Sequence, residues 1–241
     1  MGEVPELMKY LLTFIGLISC WSCNENHSVI TIIDIAYLDR IGLAKQLSIV
    51  KKYEPKVVGL NYLLTTDSLD KDALLVKELA ESKKIILSAM LHEYIEHYDY
   101  WDSLEQYHKK FQSENFGFSN ITITDDSVFV PELPMRQRFK GRTIHALSYL
   151  IAANSFGVKP YYNQNGTNDF IFDRNSFGKN YKVISAKDLL SERFDKCDIK
   201  DKIVLIGHIS DKADSFYINR KRTKRISGTE IHASIIQQLI E

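Results

Sequence analysis

Four polar residues in this chain stand just behind apolar runs. Asp34 closes the run 29–33, Asn61 follows 57–60, His208 follows Gly207, and Asp214 comes shortly after, with Ser210 and Asp211 between. Two carboxylates, an amide and an imidazole drawn to one place would suit a cation or a polar solute. The plainer use is structural, with Asp34 capping a helix and Asp214 making a turn. Asp34, His208 and Asp214 also offer carboxylate–imidazole chemistry, so a hydrolase is a further alternative.

Other candidates fall away on spacing or context. His92-Glu93-Tyr94-Ile95-Glu96-His97 has the composition of a zinc-protease helix. That motif needs histidines at i and i+4 so that both face one metal, and here the spacing is i, i+5. No metal site is therefore expected. Glu230 and His232 open the last helix, where Glu230 suits the helix dipole and His232 reads as a packed, hydrogen-bonded histidine. Residues 220–225 hold five positive charges in six residues. They read as a solvated loop or one resting on anionic head groups, because an isolated cluster in a neutral chain lacks the extended basic face that nucleic acid requires. Glycine-rich phosphate loops and Gly-x-Ser-x-Gly are absent from the sequence. The expectation is a non-enzymatic protein without a cofactor.

The elements that must position these residues follow from periodicity. Residues 29–35, 56–60 and 84–89 are β-branched or apolar runs, as in strands buried on both faces. Residues 38–53 and 67–82 between them carry helical spacing, with Pro55 closing the first helix. That βαβαβ order predicts a parallel sheet with right-handed crossovers. Residues 91–111, rich in tyrosine, histidine and glutamate, read as a partly helical insertion spanning about 91–115. Residues 116–123 and 127–130 read as two strands around a turn. A helix is predicted over 143–153, a short strand over 169–172, and a small helix over 185–190 with Ser185 as N-cap and Asp188 at the capping-box position. Residues 202–207 return to the sheet and 229–240 close the domain. The predicted fold is α/β, a mixed, mostly parallel sheet flanked by helices on both faces, in one domain with a mid-chain insertion. Ligands of open parallel sheets bind beyond the carboxyl ends of the strands, which is where Asp34, Asn61, His208 and Asp214 should gather.

The chain has 241 residues, 44% hydrophobic and 26% charged, ordinary values for one large globular domain. Basic and acidic residues both number 31, so no overall field favours nucleic acid. Residues 10–21 form an apolar run that is short for a membrane span and suits a signal peptide. It ends Leu17-Ile18-Ser19-Cys20, similar to a bacterial lipobox, which makes Cys20 the candidate lipidated residue. Residues 1–28 are then leader and tether, and 29–241 the domain. Cys23 and Cys197 are the remaining cysteines, a conceivable pair in an oxidising compartment.

The order of pieces resembles the type-2 CHASE domain, an extracytoplasmic sensory module of bacterial receptors. The likeness is carried by the run into Asp34, by Pro55-Lys56-Val57-Val58-Gly59 and by Gly117-Phe118-Ser119-Asn120. It continues through the 143–153 helix, Ser185-Ala186-Lys187-Asp188-Leu189-Leu190, the 202–207 strand with Asp214, and Gly228-Thr229-Glu230-Ile231-His232-Ala233. The tryptophan-proline-arginine stretch many members carry after the first strand is missing. Asn61 replaces the usual aspartate, and the arginine often found after the mid-chain turn has no counterpart near Phe129. The resemblance implies membrane helices and an output domain beyond Glu241, which this sequence does not contain. The expectation is thus a sensory or ligand-binding domain at the cell envelope, membrane-anchored through its N-terminal segment. It would recognise a small solute or an envelope signalling protein and act through a partner. The alternative is an envelope scaffold that uses the insertion and the basic loop as contact surfaces.

Overall fold

Apolar runs without polar alternation need cover on both sides, and this requirement organises the molecule. The computed structural model describes residues 28–66, 71–80, 82–95, 100–105, 109–111, 115–124, 126–159, 169–177, 179, 181–212 and 214–241. The chain begins β1 (Ile30–Asp34), α1 (Arg40–Lys52), β2 (Val57–Asn61), α2 (Asp72–Ala80) and β3 (Ile85–Ile95). There follow β4 (Tyr100–Glu105), β5 (Phe116–Phe118), β6 (Glu132–Pro134), β7 (Arg136–Phe139), β8 (Arg142–His145) and α3 (Leu147–Phe156). After β9 (Asp169–Ile171), β10 (Lys182–Ile184) and α4 (Ala186–Leu190) come β11 (Ile203–Gly207), β12 (Ser215–Tyr217), β13 (Arg225–Ser227) and α5 (Gly228–Ile240).

Strands β10, β1, β11, β2 and β3 run parallel in that order, and β5 adds to β3 in the same sense. The outer half of β3 turns to an antiparallel partner, β4, and β7 and β8 extend this wing. The sheet is mixed and mostly parallel. Strand alternation then sorts the apolar side chains. Ile33, Val58, Leu60, Val204 and Ile206 pack with Leu43, Leu47, Leu75, Leu79 and Leu189 of α1, α2 and α4. Ile30, Ile32, Val57, Ile203 and Leu205 pack with Leu147, Ile151, Ala233 and Ile236 of α3 and α5 on the other face. A third cluster, centred on Phe118, Phe129, Leu133 and Phe172, fills the space under the wing.

Helix starts follow local chemistry. Asp39 caps α1 by accepting from the Gly42 N–H at 2.9 Å. Ser185 caps α4, accepting from the Asp188 N–H at 3.1 Å while donating to its carboxylate at 2.7 Å. A buried carboxylate, Asp72 at the start of α2, pairs with Lys110 at 2.8 Å and lies 3.9 Å from Arg40.

Two expectations need correction. In the segment from Leu91 onward, where helix was expected, the described residues 91–95 and 100–105 form a hairpin of β3 and β4, with Leu91 opposite Leu104 and Tyr94 opposite Trp101. Tyrosine and tryptophan favour such pleated pairs, and among the described residues of this segment only 109–111 makes a 3₁₀ turn. The helix read over 143–153 starts later, at Leu147, because Thr143 to His145 belong to β8. Lys140 (φ 44) and Gly141 (φ 77) form the tight turn before it, both in the left-handed region, as a two-residue hairpin connection demands. The turn expected within 116–130 is present, with Thr124 N–H donating to the Val128 carbonyl and an antiparallel bridge between Ile123 and Phe129.

Gly117 of β5 faces the first residue of α3 so closely that a Cβ there would lie 2.7 Å from the Leu147 backbone. Backbone yields less readily than a side-chain tip. Gly117→Ala should therefore lower stability by about 1–3 kcal/mol, read as a drop in the urea midpoint with an unchanged slope.

Candidate functional site

The parallel strands end on one edge, and three of the four expected residues meet there. Asp34 pairs with Gly207, and Gly207 with Asn61, so adjacent strands finish on Asp34, Gly207-His208 and Asn61. The Asp34 carboxylate accepts from the backbone N–H of Ala36 at 3.1 Å and of Ile209 at 3.3 Å, tying the loops after β1 and β11 together. It does not cap α1, a role that Asp39 fills. Gln46, buried on α1, donates to the Asp34 carbonyl at 3.2 Å and braces the strand end from below.

Asn61 donates to the Thr229 hydroxyl of α5 at 3.1 Å. That hydroxyl fills the space where Gly207 would otherwise carry a Cβ. The glycine at the end of β11 thus makes room for a helix. His208 is half-buried and meets the Tyr62 ring edge-on, with centroids 5.7 Å apart. Asp214 lies at the N-terminus of α5, where its carbonyl accepts from the Gly228 N–H at 3.0 Å and its carboxyl rests against Gly228. Burial, and then the charge of Asp211, push the Asp214 carboxyl up to about 6. Asp34, Asn61 and His208 therefore share one edge, and Asp214 joins it through Gly228 and its neighbour Thr229.

The supporting residues Gln46, Tyr62 and Thr229 carry no sequence signal, because tertiary packing alone brings them to the edge. Ser227 did carry one. It caps α5 reciprocally with Glu230: the Glu230 N–H donates to its hydroxyl at 3.2 Å, and the Glu230 carboxylate accepts from its N–H at 2.9 Å. The Ser-x-x-Glu spacing announces this box.

Two further histidines, His232 and His92, are explained by structure. His232 is buried on α5, with Nδ1 2.6 Å from the Ser148 hydroxyl of α3. A serine beside a histidine is half of a nucleophile–base arrangement, but both groups lie inside the core, out of reach of a substrate. Burial lowers His232 to about 4 against the opposing pull of the Ser119 backbone. His92 is on a strand, not a helix, and pairs across the hairpin with Glu105 at 2.9 Å. His97 lies outside the described residues, among which no group of three or more histidine, cysteine, aspartate or glutamate side chains could hold a metal ion. The basic run forms the connection between β12 and β13, where Arg222 pairs with Asp126 at 2.9 Å and Arg225 stacks on Tyr217. Cys197 is disulfide-bonded; Cys20 and Cys23 lie outside the described residues.

A mixed, mostly parallel sheet covered by helices on both faces, its strand ends meeting a capped last helix, defines an α/β domain. The model of the CHASE2 domain matches residues 29–241, and the chain belongs to that family. CHASE2 domains are extracytoplasmic sensory domains. No curated protein and no solved structure matches the chain. Among the described residues no helix is long and apolar enough to cross a membrane.

One half-buried and one buried group give opposite pH dependences. Asp214 is raised from 3.8 to about 6, so its contribution to stability is full below 3.8 and is lost as pH rises to about 6. His232 is lowered from 6.5 to about 4, so its contribution is full above 6.5 and is lost as pH falls to about 4. In the wild type these offset each other. Asp214→Asn should melt higher than wild type at pH 7 and fall more steeply on acidification toward pH 4, measured by thermal denaturation across that range.

Proposed function

We propose that this protein is a non-enzymatic sensory domain of the bacterial cell envelope that binds a small polar solute on the edge formed by Asp34, Asn61, His208 and Asp214. The observation that carries the reading is the half-buried Asp214 carboxyl beside α5, on the same edge as the imidazole of His208. A carboxyl held at about 6 gains from a hydrogen-bond donor or a positive group brought by a ligand. The route outward from such a site is short. Asn61 and Asp214 both touch the first turn of α5, through Thr229 and Gly228, so a solute that moved either one would act directly on the helix that ends the domain.

Catalysis finds less support. The neighbour of His208 is an aromatic ring, the Ser148–His232 pair is buried, and the Asp34 carboxylate is engaged by two backbone N–H groups. In this reading the domain is exported and anchored through a lipid on Cys20, and it passes its signal to a partner protein of the envelope. The Cys197 disulfide suits an oxidising compartment.

Two experiments test this. Expressed in a bacterium, the wild type should gain a diacylglyceryl mass and fractionate with membranes, whereas Cys20→Ala should do neither; a soluble, uncleaved wild type would refute the anchor. A panel of small amines, amino acids and polyols should include members that raise the melting temperature of the wild type by mass action but not that of Asp34→Asn or His208→Ala. Equal shifts in all three proteins would place recognition elsewhere.

A further inference from the structure

Apart from the polar edge, the wing of the sheet encloses a pocket of about 520 Å³, within the roughly 300–1,000 Å³ of pockets that take small molecules. Leu91, Trp101, Phe118 and Ile121 line it with apolar surface, and Glu132 and Gln137 add polar groups. The wall is held from behind. The Asn120 amide accepts from the Leu91 N–H at 2.8 Å and donates to the Leu91 carbonyl at 2.9 Å, so the segment after β5 is fastened to β3. This polar side chain of the wall is used up in building it.

Trp101 is the opposite case. Its indole N–H is buried and has no acceptor among the described residues. A stranded donor of this kind is unfavourable, and an acceptor brought by a ligand would relieve it once the ring turns to meet it. Among the described residues of the lining, Glu132 is the one ionisable side chain and no cation accompanies it. A carboxylate at the wall of an apolar pocket repels anions. Volume, apolar walls, an unmet donor and this negative charge together describe an occupant.

We infer that the pocket under the wing is a second binding site, for a small, uncharged, mainly apolar solute that carries a hydrogen-bond acceptor such as a hydroxyl or carbonyl. Its walls come from β3 to β7 and the segments between them, whereas the polar edge is made at the ends of β1, β11 and β2. The two sites therefore stand or fall separately.

The chain contains two tryptophans, Trp21 and Trp101, so full-length Trp21→Phe leaves Trp101 as the sole reporter. Its emission should change saturably with 2-phenylethanol and respond about tenfold more weakly, or worse, to phenylacetate at pH 7. Glu132→Gln, at an exposed position, should narrow that difference. Val130→Phe, which fills the pocket, should abolish the response to 2-phenylethanol, and Asp34→Asn should leave it unchanged. The inference is overturned if 2-phenylethanol gives no saturable change, if phenylacetate binds equally well, or if folded Val130→Phe still responds. Should Val130→Phe fail to fold, the Glu132→Gln comparison decides: an unaltered preference for the alcohol removes the charge argument and the site with it.

Discussion

Strands β1, β11 and β2 are apolar on both faces, and almost every other element is placed by the need to keep water from both. Helices α1, α2 and α4 close one side, and α3 and α5 close the other. Polar side chains within this layer are few. Thr31 donates to the Asp198 carbonyl, and Gln46 donates to that of Asp34. With both faces covered, the edges of the layer and the ends of its strands are what remain open, and the polar chemistry collects at the ends. The third cluster under the wing is a consequence of a different kind. There β3 outruns its parallel neighbours, takes an antiparallel partner, and needs a core of its own.

The inner layer was legible in the sequence because its signals are strong. β-Branched runs at 29–35 and 202–207, with helical spacing between 38 and 53, permit few arrangements. The same rules put Asp34, Asn61 and His208 at one edge, since the carboxyl ends of neighbouring parallel strands coincide. The wing was not legible in the same way. Tyrosine, histidine and glutamate in 91–105 blur the alternation of a hairpin, and its pairing depends on contacts such as Leu91 with Leu104 that no local pattern declares. The start of α3 was misplaced because Thr143 and Ile144 fit either a strand or a helix once Leu147 and Leu150 supply a helical period. Thr229 and Gln46 could not be foreseen at all. A buried polar side chain finds its partner only when helices and sheet come together.

The titratable groups divide along the same lines. His232 and Ser148 sit between two helices, where a neutral imidazole joins α3 to α5 without a charge to desolvate. Asp72, buried at the start of α2, meets Lys110, with Arg40 close by. Asp214 belongs to neither class. It is partly buried, the charge of Asp211 acts on it, and its environment favours the proton. Among the described residues, whose other buried acidic and imidazole groups are paired or neutral, it is the one most open to a change in its surroundings.

Strands that are apolar on both faces carry little information about how far one should slide along the next, since a shift by one residue exchanges one buried isoleucine for another. Ile203 or Val204 could face either helical layer with little difference in apolar area. What removes this degeneracy is the contact of the Thr229 hydroxyl with Gly207. Only a glycine admits it, so β11 cannot slip without driving a side chain into α5, and Asn61 is fixed by the same hydroxyl. The polar end of the sheet is therefore its register mark. A signal received there would act on the one place where the alignment of the whole parallel layer is decided.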